Sequence, residues 1–455
     1  MALHRRHFIA GAGALLAGSA ARAAKGQPAM TGTASNAFFL SPRNPAATVD
    51  QRELDALAIR LRARPDVQAA IMRAGSAFTH AVPRESMSDE AWSVFPDYLD
   101  SYCFRSILMA ANSDPNYPRV LQVYSPAAEW LGNHVPASRW GSENPDNIYR
   151  IVPVEYGGRY AIHGQVQPNP ASNTSFVLVA DTNTSVTIGL IELQDMDIAA
   201  DGSFAITLDE TPAHGRKNHI QLAHDAMYVF IRDSMGDWSQ TPNALRVERL
   251  NPPLLPPRTE DELAARAGRI MQIGVAPAYY WSRLVLNQPM QAIKQPEDMG
   301  TIGGLRTQVS CSGWFTLADD EAVIITTDDL ASSYFSIVLY EVWGRTLEYR
   351  DHQSSMNRAM MVADKDGRYT FVIALRDPGV HNWLDTVGMH EVSAGMRWQG
   401  ISPHSNKVPR IETRTVKLAE LPEALPDGVR MVSPADRVRQ MDERAKAYDR
   451  RFAGS

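Results

Sequence analysis

The sequence contains an internal repeat, which limits the fold more than any other feature. An Asp-Gly pair, an asparagine, a single arginine and an Arg-apolar-Glu triplet recur in the same order. The first copy consists of Asp201-Gly202, Asn218, Arg232 and Arg246-Val247-Glu248, and the second consists of Asp366-Gly367, Asn382, Arg397 and Arg410-Ile411-Glu412. Each member of the second copy follows its counterpart by 164 or 165 positions. We therefore predict two related units, with a functional pocket inside one of them or between the two.

Charge and composition limit the class of partner. With 44% hydrophobic and 21% charged residues, the chain has the composition of a globular protein. The formal net charge is −6 and no long basic run occurs, so the sequence lacks the electrostatic pattern of a protein that binds nucleic acid or an anionic membrane. We expect a small-molecule ligand, neutral or weakly charged. The sequence leaves the oligomeric state open.

The first residues are typical of an export signal. Arg5-Arg6 and Phe8 precede a short Ala/Gly-rich apolar run from Ala10 to Ala20, and small residues surround Ala23. This pattern predicts a twin-arginine signal and a periplasmic location. An arginine-rich first helix of the mature protein is the alternative. No later segment has the length and apolar character of a membrane span, so no membrane contact is expected after cleavage.

Hydrophobic periodicity divides the rest of the chain into helical and β-rich regions. Apolar residues recur at helical spacing in 51–74 and 89–111, whereas short β-branched and aromatic runs alternate with turns after Trp140. The predicted segments are a signal at 1–23, a flexible leader at 24–48, a helical region at 49–135, a first β-sandwich at 136–250, a proline linker and helix at 251–300, a second β-sandwich at 301–420 and an amphipathic C-terminal helix at 421–455. The predicted fold is mainly β with helical additions: two tandem, related β-sandwich or jelly-roll units with N-terminal, linking and C-terminal helices.

Two blocks of sequence resemble a known family. The segment Asn144-Pro145-Asp146-Asn147-Ile148-Tyr149 resembles the N-P-D-N-x-Y motif of exported bacterial proteins that contain a jelly-roll domain of unknown function, and Asn382-Trp383-Leu384 resembles their N-W-L signature. The resemblance extends over residues 50–420 in the order of motifs and implies a double β-sandwich. It implies almost nothing about chemistry. Some relatives are associated with the breakdown of steroids, terpenes or aromatic compounds, which favours a hydrophobic ligand.

The first motif supplies four candidate site residues. Asp146 is a candidate acid or base, and Tyr149 a catalytic hydrogen-bond donor. Asn147 is a candidate substrate-binding residue, and Arg150 is suited to clamp an oxyanion. The alternative is a structural turn, because Asn and Asp beside proline form tight side-chain to backbone turns.

The second motif and a nearby loop supply further candidates. Trp383 offers a flat apolar surface for a substrate, and Asp385 could exchange protons with His381 or His390. In the loop before them, His352 beside Asp351 is a candidate general base, with a solvated loop as the alternative.

The repeat separates architectural from functional candidates. Asn382 can bind a substrate through its amide, but its counterpart Asn218 makes an architectural role the alternative. Arg397 and its counterpart Arg232 either tie an inner carboxylate or bind a substrate carboxylate.

No recognised catalytic or cofactor motif is present. The sequence lacks G-x-S-x-G, G-x-G-x-x-G, a Walker loop and H-E-x-x-H, so no cofactor or metal is predicted. Cys103 and Cys311 are predicted to be buried free thiols, with a disulfide as the alternative. The first functional hypothesis is an exported, cofactor-independent lyase or hydrolase that acts on a hydrophobic aromatic, terpenoid or steroid-like molecule by acid–base chemistry. The alternative is a non-catalytic periplasmic protein that binds such a molecule or a glycan, and the third is a structural or assembly protein.

Overall fold

The computed structural model describes residues 38–123, 126–138, 141–180, 186–286, 290–298, 308–401 and 408–452. The predicted signal, most of the predicted leader and Trp140 lie outside these residues. None of the helices in the described ranges is both long enough and apolar enough to cross a bilayer.

A group of helices occupies the N-terminal region. They are α1 (Val49–Ala63), α2 (Pro65–Ala81), α3 (Asp89–Ser93), α4 (Phe95–Ala111) and, later in the chain, α5 (Glu260–Leu286). Thr48 caps α1 by accepting from the Gln51 amide at 3.1 Å, and Pro65 starts α2 at a position where its missing N–H costs nothing. The first four helices end at Ala111, so the predicted helical region, which extended to residue 135, is too long.

The first β unit follows directly. Its strands are β1 (Leu121–Val123), β2 (Ala128–Trp130), β3 (Asn133–Val135), β4 (Asn147–Pro153), β5 (Tyr160–Gln165), β6 (Asn173–Val179), β7 (Thr187–Glu192), β8 (Ser203–Asp209), β9 (His219–Gln221), β10 (Tyr228–Ser234) and β11 (Ala244–Arg249). Because β1 pairs with β4, this unit begins before the predicted boundary at residue 136.

The second β unit follows α5. Its strands are β12 (Ala292–Ile293), β13 (Glu297–Asp298), β14 (Val309–Thr316), β15 (Glu321–Thr327), β16 (Tyr334–Tyr340), β17 (Ser355–Asn357), β18 (Tyr369–Ala374), β19 (Trp383–Asp385), β20 (Glu391–Gln399) and β21 (Ile411–Lys417). The short α6 (Leu421–Ala424) and the long α7 (Pro434–Asp449) complete the chain, and a capping box between Ser433 and Asp436 starts α7.

The two units have the same strand order. The larger sheets run β1-β4-β10-β6-β7 and β12-β14-β20-β16-β17, and the smaller sheets run β11-β5-β8-β9 and β21-β15-β18-β19. In both units the last pair of the smaller sheet is parallel. Two tandem, related β-sandwiches are therefore present, as the sequence repeat predicted.

Each sandwich encloses its own core, and the larger sheet of the first sandwich also packs outward. Phe176 and Ile162 lie inside the first sandwich, and Phe335 and Phe371 lie inside the second. On the outer face of the first sandwich, strand residues such as Ile151, Val177 and Phe230 share one core with α1, α2, α4 and α5. Alternation along β4 and β10 thus gives each strand one face toward the sandwich interior and one toward the rest of the molecule.

Both cysteines are buried and unpaired, as predicted from the sequence. Burial raises the pKa of the Cys103 thiol to about 12, and that of Cys311 rises for the same reason. High thiol pKa values make these side chains poor nucleophiles.

Candidate functional site

Asp146 lies in the interior between the two sandwiches. Its Oδ1 accepts hydrogen bonds from Trp238 Nε1 at 2.7 Å and Asn357 Nδ2 at 3.0 Å, and its Oδ2 accepts from the Tyr334 hydroxyl. Trp238 belongs to the first sandwich, whereas Tyr334 and Asn357 belong to the second. Burial raises the pKa of Asp146, and the hydrogen bonds partly oppose this effect. Asp146 is fully buried and joins the two units, which corrects its prediction as an acid or base at a pocket.

Arg150 is also a structural residue. It is 2% exposed and its guanidinium pairs with Asp233, while its Nη1 donates to the Asn243 carbonyl at 2.6 Å. Thr174 and Asn243 donate to the other oxygen of Asp233 at 2.8 and 2.6 Å. Since this guanidinium is enclosed by protein partners, the prediction that Arg150 clamps a substrate oxyanion is wrong.

Asn147 lines a cavity that is too small for a substrate. It is buried, and the cavity that it lines with Tyr149 has a volume of about 20 Å³. A volume of this size holds one water molecule at most. The structure therefore does not support a substrate-binding role for Asn147.

The repeated asparagines are architectural. Asn382 Oδ1 accepts from the Val362 amide at 2.9 Å, and its Nδ2 donates to the Val362 carbonyl at 2.8 Å. Asn218 makes the same reciprocal pair with the backbone of Asp197, at 2.8 Å in both directions. Because the amide of Asn382 is used by the backbone, its prediction as a substrate-binding residue is corrected in favour of the architectural alternative.

Trp383 is covered by the C-terminal helix. It is 7% exposed, its Nε1 donates to the Ala374 carbonyl at 3.0 Å, and the Arg437 guanidinium from α7 lies 5.1 Å from its ring centre. Both ends of this side chain are occupied by protein groups. Trp383 thus anchors α7 and offers no free surface to a substrate.

His352 and Asp385 form a pair. The His352 Nδ1 lies 2.7 Å from Asp385 Oδ2, and Asp385 Oδ1 accepts from the Val387 amide at 2.8 Å. The His352 side chain is 42% exposed, and its Nε2 has no hydrogen-bond partner among the described residues. An oriented imidazole of this kind can act as a general base. The sequence predicted both residues as catalytic but did not predict that they pair with each other.

The two histidines predicted as partners of Asp385 lie elsewhere. His381 contacts Gln440 Nε2 through Nδ1 at 2.8 Å and the Met360 carbonyl through Nε2 at 3.2 Å, and burial lowers its pKa. His390 contacts Glu90 and Asp319, and the hydrogen bonds to these carboxylates raise its pKa. Neither histidine can exchange a proton with Asp385 in this arrangement.

The repeated arginines meet where the larger sheets of the two sandwiches approach each other. We call this place the inter-sandwich seam and define it by Tyr149, Phe230, Arg232, Tyr340 and Arg397. Arg232 lies opposite Tyr149 in β4, and its guanidinium is 4.2 Å from the centre of the Phe230 ring. The Tyr149 ring stacks on the same Phe230 ring, with centres 5.3 Å apart and planes 8° apart. The Phe230 ring therefore contacts both the Arg232 cation and the Tyr149 ring.

Arg397 approaches the seam from the second sandwich. Its Nη1 donates to the Tyr340 hydroxyl at 2.6 Å, and its Nη2 donates to the Ser142 carbonyl of the first unit at 2.7 Å. The pKa of Arg232 is lowered, first by burial and also by the positive charge of Arg397. The two cations are therefore close enough to repel each other.

No carboxylate compensates these two charges within the described residues. The Arg232 guanidinium has no hydrogen-bond or ion-pair partner there, and Arg397 has no ion-pair partner. Both residues are partly buried, and burial is the first cause of the lowered pKa of Arg232. The inner carboxylate that the sequence analysis offered as one role for these arginines is not found among the described residues. The other role, binding of a ligand carboxylate, fits the geometry.

Sequence reasoning missed several of the residues that shape these sites. Tyr334, Tyr340 and Asn357 hold Asp146 and Arg397, yet none stands in a recognisable motif. Phe230 carried a usable signal, because it lies two positions before the repeated Arg232 and so shares its strand face.

Comparison with known proteins establishes the fold and not the function. The structure is similar to the crystal structure of an uncharacterised protein from Burkholderia cenocepacia, with a TM-score of 0.65 and 23% identity over 80% of this chain and 99% of that one. It is also similar, with a TM-score of only 0.38 and 11% identity, to the VPA0106 protein from Vibrio parahaemolyticus over 61% of this chain and 90% of that one. No protein-family model and no curated protein matches the sequence. The resemblance to jelly-roll proteins of unknown function therefore stays a prediction.

Proposed function

We propose that this protein binds a small organic molecule carrying a carboxylate, and that the inter-sandwich seam is the binding site. The observation that carries this proposal is the pair Arg232 and Arg397, two neighbouring cations with no carboxylate partner among the described residues. A partly buried cation without an anionic partner costs free energy, although solvent makes the cost smaller than for a fully buried charge. A bound anion would remove that cost.

The side chains around the two arginines favour an organic acid over a simple inorganic ion. Phe230 and Tyr149 place aromatic rings beside Arg232, and the Tyr340 hydroxyl accepts a hydrogen bond from Arg397 and so fixes its orientation. A guanidinium donates two parallel hydrogen bonds to a carboxylate, and a flat apolar neighbour suits an aromatic or terpenoid skeleton. The ligand class is thus the hydrophobic one predicted from the sequence, with an acidic group added.

Binding without catalysis is better supported than the lyase or hydrolase predicted first. Asp146 and Arg150 are enclosed by protein partners, and His352 with Asp385 lies outside the residues that define the seam. Tyr149 is the one predicted catalytic residue in the seam, and its hydroxyl accepts a hydrogen bond from the Asn144 amide at 3.0 Å. Tyr149 contributes to the seam through this bond and through its stacking on Phe230.

A catalytic role is the second candidate, and the paired His352 and Asp385 favour it. An imidazole oriented by a carboxylate at 2.7 Å is the arrangement used for general-base catalysis. If this pair is catalytic, His352→Gln would abolish turnover of the ligand. Unaltered turnover in that variant would remove the pair from consideration.

Thermal unfolding with organic acids tests the binding proposal. Benzoate, cinnamate and a terpenoid acid should raise the Tm of the protein, whereas the corresponding neutral amides at the same concentration should not. Arg232→Gln and Arg397→Gln should each weaken binding by about tenfold or more, since a hydrogen bond to a charged group contributes about 1.5 to 3 kcal/mol.

Arg216→Gln is the matched control, because Arg216 is an exposed arginine of the first unit that bonds only to its own loop. It should leave the response unchanged. Equal shifts with acids and amides, or full responses in both seam variants, would contradict the proposal. Export to the periplasm would be tested separately, by locating the processed chain in cell fractions.

A further inference from the structure

A second cationic cavity lies away from the seam, at the end of α7. It has a volume of about 300 Å³ and is formed by the segment before α1, the loop between β10 and β11, and the residues that follow α7. Arg232 and Arg397 are not among its lining residues. We call it the Arg451 cleft and define it by Arg43, Trp238, Arg450 and Arg451.

Three arginines and no acidic residue line the Arg451 cleft within the described residues. None of the three forms an ion pair with the described part of the chain. The three guanidinium groups give the cavity a positive potential, because charges of one sign in a cleft reinforce each other, and the nearby Asp146 carboxylate reduces this potential at Arg451. Such a site favours an anion with more than one negative charge.

Arg451 is held in place with one of its donors unused. Its Nη1 donates to the Pro145 carbonyl, and its guanidinium lies 4.7 Å from the centre of the Trp238 ring and 5.4 Å from that of Tyr448. Its Nη2 is buried and has no hydrogen-bond partner. A buried donor without a partner is unfavourable, and a preorganised one needs little ordering when a ligand arrives.

The remaining lining groups suit a compact ligand with a short organic part. Ser239 and Thr241 provide hydroxyl donors, and Ile148, Met235 and the Trp238 ring provide apolar surface. A cavity of about 300 Å³ lies at the lower end of the range for small-molecule pockets, which is about 300 to 1,000 Å³.

We propose that the Arg451 cleft binds a small molecule that carries a phosphate group. Arginine matches the geometry of phosphate oxygens, and three such side chains can balance a phosphate dianion. Hydroxyl groups complete the set of donors, and the apolar floor accommodates a short organic substituent.

Calorimetric titration with phenyl phosphate and inorganic phosphate tests this proposal, with phenol and acetate at matched ionic strength as comparison compounds. Phenyl phosphate should bind the full-length protein more tightly than inorganic phosphate, and phenol and acetate should give no saturable heat. Arg451→Met should raise the Kd of phenyl phosphate by about tenfold or more.

A second variant keeps the test decisive if Arg451→Met also loosens α7. Arg43 is exposed, so Arg43→Gln leaves the fold intact and should still weaken binding severalfold. Arg439→Gln on the outer face of α7 is the matched control and should bind like the original protein, as should Arg232→Gln in the seam. Absence of saturable phenyl phosphate binding, or an unchanged Kd in Arg43→Gln and Arg451→Met, would overturn the proposal.

Discussion

Arginines on the two faces of one sheet have different kinds of partner. Arg150 in β4 and Arg232 in β10 lie on neighbouring strands of the larger sheet of the first sandwich. Arg150 faces the sandwich interior and pairs with Asp233, whereas Arg232 faces the seam and contacts an aromatic ring. Asp233 directly follows Arg232, but alternation along the strand directs its carboxylate to the opposite face. The fold therefore pairs Arg150 with a carboxylate, whereas Arg232 has no carboxylate partner among the described residues.

Stability measurements on the two arginines test this contrast most directly. Arg150→Met should lower the free energy of unfolding by roughly 3 to 5 kcal/mol, because Asp233 would stay buried without its cation. Arg232→Met should change it by less than about 1 kcal/mol, because no partner is lost. Urea unfolding of both variants provides the values, and similar losses in the two would show that Arg232 also has a structural partner.

Asp146 extends the contrast to a buried anion. Asp146→Ala should cost about 3 kcal/mol or more, since Trp238, Tyr334 and Asn357 would each lose an acceptor. Asp146→Asn should cost less than half as much, because the amide oxygen can still accept from Trp238 and Asn357 while its Nδ2 donates to the Tyr334 hydroxyl. If ligand turnover were lost in Asp146→Asn with stability intact, Asp146 would have a chemical role after all.

The duplicated asparagines allow the same contact to be compared in the two sandwiches. Asn382 is 3% exposed and Asn218 is more exposed, although both make the same pair of backbone bonds. Asn382→Ala should cost roughly 1 to 3 kcal/mol, because the half-buried Val362 groups and the buried Thr370 carbonyl lose a partner. Asn218→Ala should cost less than about 1 kcal/mol, since water can replace the amide. Thermal or chemical unfolding would rank them, and the reverse order would contradict the burial argument.

Glu341 is a buried charge that is compensated only in part, and it predicts a pH dependence. Burial raises the pKa of Glu341 to about 7, and Arg345, 3.7 Å away, only partly opposes this effect. In the unfolded chain this carboxyl has its usual pKa of 4.5. The folded state therefore binds the proton more tightly, so the contribution of Glu341 to stability is complete below the unfolded pKa and is lost as the pH rises through about 7.

Unfolding at several pH values would check this sign. Between pH of about 5 and 7, the free energy of unfolding should fall by up to about 1 kcal/mol per pH unit relative to Glu341→Gln. The two carboxylate oxygens accept separately from the Trp343 and Arg345 backbone amides, at 2.9 and 3.0 Å, so the single amide oxygen of the variant keeps one of these bonds at every pH. Parallel pH profiles would mean that Glu341 ionises normally in the folded protein.

The sequence predicted the architecture better than it predicted the site. The repeat of Asn218 and Arg232 as Asn382 and Arg397 implied two units, and the strand order confirms them. The error at the first boundary arose because β1 has only three residues, Leu121–Val123, and depends on pairing with β4 rather than on a local pattern.

Site residues were harder to predict because a sequence motif does not show whether its side chains are buried. The same tight turn at Asn144-Pro145-Asp146 is compatible with a carboxylate at a pocket and with one enclosed by three donors. His352 and Asp385 are 33 positions apart and come into contact only in the folded protein. The sequence therefore predicted each residue as a candidate but did not predict their contact. The unused donor of Arg451 likewise depends on contacts with Trp238 and Pro145 that no spacing rule reveals.

The position of Asp146 has a consequence for how the chain is synthesised. When the first sandwich leaves the ribosome, Tyr334 and Asn357 have not yet been translated, and the carboxylate remains hydrated and ionised. Completing the second sandwich then withdraws this group from water, so docking of the two halves is coupled to its desolvation. Although the two units share one strand order, an isolated first unit would leave the Asp146 carboxylate without the Tyr334 and Asn357 donors of the second.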